Sequence, residues 1–455
     1  MSTSTAYPVS GLKNLGHTCG LNAIVHVLSC IPQFRAAFSS AQVGQCLPEL
    51  EATRTDSDAE RQERKRRIIA ALVAARQSGH RSRARSSSSR LDRTVQDGGS
   101  EIINQAIESS MVENLVKVFD LMNSGRPFVD PGALYFAYLS VESEGTVAFE
   151  ELDAPQVLLN LLNAMHQDLV RATTATREDA AHAASLVSHF FRGATTTVVR
   201  CGHCGASQSQ EHDFQGDIIV TIPTAVLPLR RNEGGDWEAG NLTVVDCMKN
   251  FVDGEVHRDR VCPKCSKAGA VSVFNAISDL PEVLVLYLSR GEFTDGKSAK
   301  HPVFVDVDPS IDFAPFMLGN SKVDPNYDLR GVVVHHGRGT ASGHFTSYVS
   351  VGDSASPAWL HCNDTDVQPL RNADIQATLR SLPPTTSQPI LLFYVRRVAR
   401  PTPELGRVSH GPVRRKEEIK AVIDSSLNPL FIDSSAPTRA RGSRTSSGSL
   451  SHPYK

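Results

Sequence analysis

Gly11-Leu12-Lys13-Asn14-Leu15-Gly16-His17-Thr18-Cys19-Gly20-Leu21-Asn22 stands almost at the start of a chain of 455 residues. A loop of Gly, Asn and Thr runs into Leu21, Ile24, Val25, Val27 and Leu28, whose spacing near 3.6 predicts a helix over residues 20–31, ended by Pro32. Cys19 falls where the loop becomes the helix. A helix N-terminus carries partial positive charge and lowers a thiol pKa, and a neighbouring imidazolium lowers it further. Asn14, upstream, sits where a side-chain amide can point at an acyl oxygen. With the Cys19 backbone N–H it would make an oxyanion hole. Taken alone, a cysteine at a helix start is more often a buried apolar residue.

Far downstream the chain carries Gly343-His344-Phe345-Thr346-Ser347-Tyr348 and then Trp359-Leu360-His361-Cys362-Asn363-Asp364. His344 precedes a strand-like run, and Asn363 follows after room for a turn and a return strand. The two side chains are therefore expected on neighbouring strands. Gly343 would let a substrate backbone approach closely. A Cys, His, Asn order supplies a nucleophile, a base and a group that orients the imidazole. His335 and His336 are rivals for the base. The plain reading of any one of these residues is an ordinary polar side chain.

Cys201-Gly202-His203-Cys204 and Cys262-Pro263-Lys264-Cys265 are two Cys-x-x-Cys knuckles. Two thiolates in a tight turn can share one ion, and a second such turn completes a tetrahedral zinc site. Four sulfurs leave no open position, so the zinc would be structural. The gap between the knuckles predicts strands folded back as one long hairpin. A redox pair or two unrelated turn pairs are the alternatives, and His203 reads as a turn residue.

A hydrophobic content of 40% suffices for a substantial core, and a formal net charge of −2 argues against nucleic acid as the main partner. Met1–Tyr7 is polar and does not read as a signal peptide, and the longest apolar runs, Val283–Leu288 and Ile390–Val395, are of strand length, so no membrane partner is expected. Nine cysteines without a dense framework indicate a reducing compartment, cytoplasm or nucleus. Residues 48–100 hold Arg61-Gln62-Glu63-Arg64-Lys65-Arg66-Arg67 and a second basic run over 81–90, and read as a disordered insertion in which a short helix over Ile68–Ala75 is allowed. Such a run can also serve nuclear import. Helical patterns cover 102–123 and 155–170, the latter with Asp153 as N-cap and Pro155 in the first turn. Strands are expected at Thr195–Val199, Asp217–Ile222, Val283–Ser289, Leu329–His335, Thr346–Val351 and Ile390–Arg396. Beyond 398 the chain is rich in Pro, Ser and Arg and reads as a disordered tail, with a weak amphipathic stretch near 416–425.

Taken together and in order, these blocks resemble the ubiquitin-specific proteases. Gly11–Asn22 resembles their cysteine box. Tyr327-Asp328-Leu329, Val332–His335, Gly343-His344-Phe345 and Tyr348 resemble their histidine box, and Trp359, Asn363-Asp364 and Val367 their closing motif. Asp153-Ala154-Pro155-Gln156-Val157-Leu158 resembles an Asp-Ala-x-Glu-Phe-Leu box. Leu280-Pro281 through Leu288 to Arg290 resembles the strand before the palm, and the knuckles resemble the zinc-binding fingers.

The resemblance implies an α+β, papain-like cysteine protease fold with thumb, palm and zinc-ribbon fingers. The catalytic domain would span 10–397, after an N-terminal extension over 1–9, with fingers at 194–275 and a tail over 398–455. It implies hydrolysis of the isopeptide bond after the C-terminal Gly-Gly of ubiquitin, or a ubiquitin-like modifier, on modified proteins. Cys19 carries over as nucleophile, His344 as base, Asn363 as orienting residue, Asn14 as oxyanion donor and Asp364 as an adjacent helper. Asp153, Gln156 and Tyr348 carry over as substrate-binding residues. Cys201, Cys204, Cys262 and Cys265 carry over as the ligands of a structural Zn2+.

Three positions depart from the family pattern. Gly20 replaces a Tyr, Cys362 stands where an aromatic is common, and Gln156 replaces the Glu that pairs with an arginine of the ubiquitin tail. Losing that charge removes a charge-assisted bond worth roughly 1.5–3 kcal/mol. The Gln, the short N-terminus and the compact core also resemble the interferon-linked branch, which removes a tandem ubiquitin-like (ISG-type) modifier. A catalytically inactive scaffold that binds the modifier is a third reading, opposed by the intact Cys19, His344 and Asn363. A zinc-ribbon nucleic-acid binder is a fourth, opposed by the net charge and by the lack of aromatic platforms beside the basic runs.

Overall fold

Helix α1 (Cys19–Cys30) is buried along its whole length, all 12 residues included. Most of its residues are apolar, as a helix enclosed by protein requires, and its buried polar residues Asn22, His26 and Ser29 are spaced along one stripe. The computed structural model describes residues 9–43, 58–78, 99–141, 152–173, 185–223, 230–231, 237–238, 242–294, 297–300, 303–319, 323–339, 343–352, 357–370 and 374–402. Residues 1–8 of the extension, 48–57 and 79–98 of the basic insertion, and the tail from 403, with its amphipathic stretch near 416–425, lie outside the described residues.

On one side of α1 lie helices: α2 (Pro32–Ala37), α3 (Asp58–Ser78), α4 (Gly99–Glu108), α5 (Met111–Met122), α6 (Gly132–Val141), α7 (Ala154–Thr173) and α8 (Leu186–Phe191). Short strands β1 (Gly11–Leu12) and β2 (Phe128–Val129) pair in parallel beneath them. Leu21, Ile24 and Leu28 of α1 share one core with Leu115 and Phe119 of α5, Leu158 and Leu162 of α7, and Val333 and Phe393 of the sheet.

On the other side lies a sheet of eight strands. It includes β5 (Asp217–Thr221), β8 (Val283–Ser289), β11 (Ser310–Asp312), β12 (Asn326–His336), β13 (His344–Val351), β14 (Ala358–Asn363), β15 (Asp366–Pro369) and β16 (Ser387–Arg396). The order is β15-β14-β13-β12-β16-β8-β5, with β11 against β12. All contacts are antiparallel except β8–β5. All ten residues of β16 are buried, which its central place and continuous apolar run require. The opposite face of the sheet packs on α9 (Val244–Asp253), and α10 (Ile375–Arg380) closes that second core through Ile375 and Leu379.

A separate sheet of four strands, in order β4-β3-β7-β6, joins β3 (Arg192–Cys201), β4 (Ser207–Gln215), β6 (Glu255–Val261) and β7 (Ala268–Asp279). The expected single long hairpin is corrected here. There are two hairpins, β3–β4 and β6–β7, placed side by side with β3 and β7 in contact. The chain between them returns to the main sheet as β5 and α9, because Ile218, Val220, Val244 and Met248 find their apolar partners there.

A further hairpin, β9 (Gly291–Thr294) with β10 (Lys297–Lys300), sends Lys300 back to the main sheet, where its Nζ donates to the His335 and Gly337 carbonyls at 3.3 and 2.8 Å.

Two helical expectations also change. The insertion is not wholly disordered: 58–78 form α3, which lies against α4 and α6 with Ile68 fully buried. Its charge run is tolerated because Arg66 and Arg67 meet Glu63 at 3.7 Å one turn away and Lys65 donates to Asn104 at 3.2 Å. The helix expected over 102–123 is two helices broken at Ser109-Ser110. Ser110 caps α5: its hydroxyl accepts from the Glu113 N–H at 3.1 Å, and the Glu113 carboxylate accepts from the Ser110 N–H at 2.6 Å. Asp168 of α7 accepts from the Met111 N–H at 2.7 Å, and burial pushes its carboxyl up to about 6. These acceptors start a new helix more favourably than an unbroken one would run. Ser110→Ala is expected to lower the free energy of unfolding by about 1 kcal/mol. Chemical denaturation should show it as a lower midpoint with an unchanged slope.

Candidate active site

Cys19 is the first residue of α1 and is 4% exposed. Thr18 precedes it without capping the helix through its side chain, because its hydroxyl turns back to accept from the Leu15 N–H at 3.0 Å. No acidic residue lies in the first turn. The positive end of the α1 dipole, where Cys19 sits, is thus neither capped by the Thr18 side chain nor faced by an acidic residue of its own first turn.

His344 begins β13 and Asn363 ends β14, and the His344 Nε2 lies 2.7 Å from the Asn363 Oδ1. An amide oxygen only accepts, so Nε2 carries the proton and Nδ1 is left as the basic lone pair. Asp364 follows in the two-residue turn to β15, closed by the Asn363–Asp366 pair. Its φ of 52° is one that few residues other than glycine adopt, with aspartate among the exceptions.

What holds that turn comes from the N-terminal stretch. The Asp364 carboxylate accepts the Asn14 Nδ2 at 2.8 Å on one oxygen and the Asn22 Nδ2 at 2.7 Å on the other. Its carbonyl accepts the Leu12 N–H at 2.8 Å. Gly11 lies so close to the Thr365 carbonyl that a Cβ there would collide with it. Asp364 is 3.9 Å from the His344 Nε2, further than Asn363. Its direct business is therefore with the two asparagines. Asn14, in turn, accepts the Gly16 N–H at 2.8 Å and so has its side chain fixed at both ends.

The rival histidines are placed otherwise. His335 is buried and stacked on Phe345, with ring centroids 4.7 Å apart. His336 pairs across the strands with His344, and its nitrogens meet the Ser387 and Thr346 hydroxyls at 2.9 and 2.8 Å. Burial pushes both histidines down to about 4, so they are neutral near pH 7. The reading of Gly343 also changes. What needs its missing Cβ is the His335 ring and the His336 carbonyl, packed where a side chain would project. Tyr348 is buried and stacked on His361 at 4.6 Å, within the core behind β13.

Asp153 precedes α7, and its carbonyl accepts the Val157 N–H at 2.9 Å. Although its side chain reaches solvent, the protein crowded around it pushes its carboxyl up to about 6. Asp217, at the start of β5, is also pushed up to about 6, first by burial and then by Asp153. Tyr287 of β8 is pushed up to about 12 by burial and both carboxylates. Asp217 and Asn22 are the site residues to which the sequence reading assigned no role. Asn22 stood within the cysteine box, one helical turn from Cys19, whereas Asp217 carried no local signal. Gln156 is exposed and donates to Asn160 at 2.8 Å. Gly20 leaves no opening, since the Leu152 carbonyl lies in the space its side chain would take.

The sulfurs of Cys201, Cys204, Cys262 and Cys265 lie within 4.8 Å of one another, so these four cysteines can bind a metal. The Cys201–Cys265 and Cys204–Cys262 pairs are both 3.8 Å apart. Tetrahedral zinc with Zn–S bonds of about 2.3 Å has sulfurs about 3.8 Å apart, and a disulfide would need about 2 Å. The two knuckles repeat one conformation. Gly205 and Ser266 each follow the second cysteine at φ 67° and 55°, and the Gly205 and Ser266 N–H groups donate to the Cys201 and Cys262 carbonyls. Amides of Cys204 and His203 point at the Cys201 sulfur, and those of Cys265 and Lys264 at the Cys262 sulfur, lowering both thiols. His203 rests over Gly269 and is not a member of the cluster.

The family described as UCH, ubiquitin carboxyl-terminal hydrolase, matches residues 10–394. The chain is 26% identical over 390 residues to ubiquitin carboxyl-terminal hydrolase 3 of Homo sapiens, covering 80% of this chain and 65% of that protein. It is 27% identical over 435 residues to ubiquitin carboxyl-terminal hydrolase 44-B of Xenopus laevis, covering 88% of this chain and 59% of that one. Among solved structures, the SAGA Ubp8/Sgf11/Sus1/Sgf73 DUB module bound to ubiquitin aldehyde contains a chain similar in fold. The TM-score is 0.58 at 17% identity, over 88% of this chain and 72% of that one.

The raised carboxyls make stability depend on pH. A carboxyl whose pKa is about 4 in the unfolded chain and about 6 in the folded one holds its proton better when folded, so stability is lost as pH rises from about 4 to about 6. Asp153→Asn is expected to raise Tm relative to the parent more at pH 7 than at pH 4, and to bring the Asp217 pKa down. Thermal unfolding at the two pH values and carboxyl NMR titration check these outcomes.

Proposed function

Because the chain belongs to the ubiquitin carboxyl-terminal hydrolase family, we propose that it is a cysteine isopeptidase that releases ubiquitin from modified proteins. The observation that carries this reading is the linkage of Cys19 to the His344–Asn363 pair. Asn22, on α1 one turn from Cys19, binds Asp364, and Asp364 is the neighbour of the residue that holds His344. Three segments remote in sequence are joined into one site by these bonds.

In the proposed reaction the His344 Nδ1 takes the Cys19 proton. The thiolate attacks the carbonyl of the modifier's last glycine, and charge develops on its oxygen beside the α1 N-terminus and Asn14. One N–H of the Asn14 amide is given to Asp364, which leaves its second N–H for that oxygen. His344, now protonated, gives its proton to the departing lysine amine. Water then attacks the thioester with His344 as base and releases the modifier and the free thiol. Asn363 needs no charge for its part, since it fixes the tautomer and direction of the ring.

The Asp153–Asp217 pair supplies negative charge beside α7 where Gln156 does not. This supports a cationic residue in the tail of the modifier. The metal of the four-cysteine cluster is, in this reading, a structural zinc. It would hold the two hairpins together at their tips, with no part in the chemistry.

Incubation with ubiquitin bearing a C-terminal electrophile is expected to give a covalent adduct at Cys19, found by mass spectrometry and absent from Cys19→Ala. The ISG-type modifier with the same electrophile should react more slowly. A faster reaction with it would move the substrate assignment, and no adduct with either would sink the protease reading. Asn363→Ala is expected to lower kcat by about tenfold or more while KM changes little, as for a group that orients a base. A second outcome concerns the metal: the double change Cys201→Ser and Cys262→Ser should remove one zinc per chain by elemental analysis and lower Tm.

A further inference from the structure

Ser387, His336 and His344 stand in one row across three strands. His336 of β12 pairs with Ser387 of β16 on one side and with His344 of β13 on the other. Residues paired across strands project on one face, as do residues two apart along a strand, so Thr346 belongs to the same face. The His336 Nδ1 lies 2.9 Å from the Ser387 Oγ, and its Nε2 lies 2.8 Å from the Thr346 Oγ1. One ring thus bridges hydroxyls on both neighbouring strands. A hydroxyl can donate or accept, so the neutral ring is satisfied at both ends in either tautomer. The His344 ring lies beside it, with centroids 6.3 Å apart and planes inclined by 31°. The main chain is held as well. The Lys300 Nζ donates to the carbonyls on either side of His336, those of His335 and Gly337, and the Gly337 N–H donates to the Thr386 carbonyl at 2.7 Å.

This bracing falls at the last rung of the β12–β13 ladder. The pairing runs from Gly331 with Val349 to His336 with His344, and goes no further among the described residues. The end of a ladder is where it opens most readily. His344 stands there with 39% of its side chain exposed, whereas Thr346 and Ser387 are buried and β16 is buried throughout. We infer that His336 is a positioning residue for His344: its ring ties β13 to the buried strand β16 across β12 and backs the His344 ring, so that the His344 Nε2 stays on Asn363. Burial keeps His336 neutral near pH 7, so it adds no charge beside the imidazolium that His344 becomes. Lys300, His335 and His361 are the other titratable groups around it. As it concerns kcat, this inference rests on the proposed isopeptidase reading.

His336→Phe keeps a flat ring and loses both hydrogen bonds. With ubiquitin carrying a fluorogenic amine at its C-terminus, kcat is expected to fall about tenfold in this variant with KM unchanged. NMR relaxation at the His344 Cε1–H should show a less ordered ring than in the parent, which the loss of a residue that only fills space would not cause. Thr346→Val cuts one arm of the bridge and should lower kcat on its own. Added to His336→Phe it should lower kcat no further, because that arm is already gone. A parental kcat or a parental His344 ring order in His336→Phe would overturn the inference, as would additive losses in the double variant. If His336→Phe does not pack, Ser387→Ala combined with Thr346→Val removes both arms and takes its place in the kcat and relaxation measurements. A parent that fails to turn over the substrate would overturn the isopeptidase reading alone, and the ring order of His344 would still decide the role of His336.

Discussion

The carboxylate of Asp364, shared by the amides of Asn14 and Asn22, is the contact on which the site depends. It ties the loop before α1 to the turn between β14 and β15, 350 residues away in sequence. A charged acceptor taking two N–H groups is stronger than a neutral one, and here it also offsets a backbone conformation that aspartate adopts only at some strain. Where the turn goes, Asn363 goes, and with it the ring of His344. The close approach of Gly11 to Thr365 and the Leu12 N–H to the Asp364 carbonyl add main-chain contacts to the same junction.

Around that junction the fold acts as a rigid mount. Helix α1 is enclosed by helices on one side and by β12, β13 and β14 on the other, so Cys19 cannot shift without moving a packed core. Of the three histidines crowded at the mouth of β12 and β13, two are kept neutral by burial. That arrangement leaves one imidazole with solvent access, an orienting partner and a defined tautomer. The four-cysteine cluster sits apart, at the tips of two hairpins that otherwise have exposed polar edges and little core of their own.

Much of this was legible from local pattern. Strand Val283–Ser289 matches its expected bounds, and α1 begins within one residue of its own, because a continuous apolar run or a helical stripe declares its burial without help from distant residues. The zinc-type knuckles were visible as short motifs, and their S–S spacings agree with one tetrahedral ion. Other readings failed for identifiable reasons. Composition alone made most of 48–100 look disordered and allowed only a short helix over Ile68–Ala75, since it could not show that Ile68 is buried against other helices or that Glu63 balances two arginines. The break at Ser109-Ser110 was hidden inside a periodic stretch, and it took Asp168 from another helix to complete the cap.

By itself the sequence determined which chemistry was on offer: a thiol at a helix start, an imidazole before a strand, an amide after the next one, and two pairs of thiolates. It determined their order and, through periodicity, the elements that carry them. Only the tertiary structure decided which histidine stands beside Asn363, that Asp364 serves the asparagines ahead of His344, that Gly20 makes room for the Leu152 carbonyl, and that the charge of Asp153 acts on Asp217. The physical reason is range. Propensity and periodicity act over a few residues, whereas hydrogen bonds, burial and charge act through space between segments that chain connectivity leaves hundreds of residues apart.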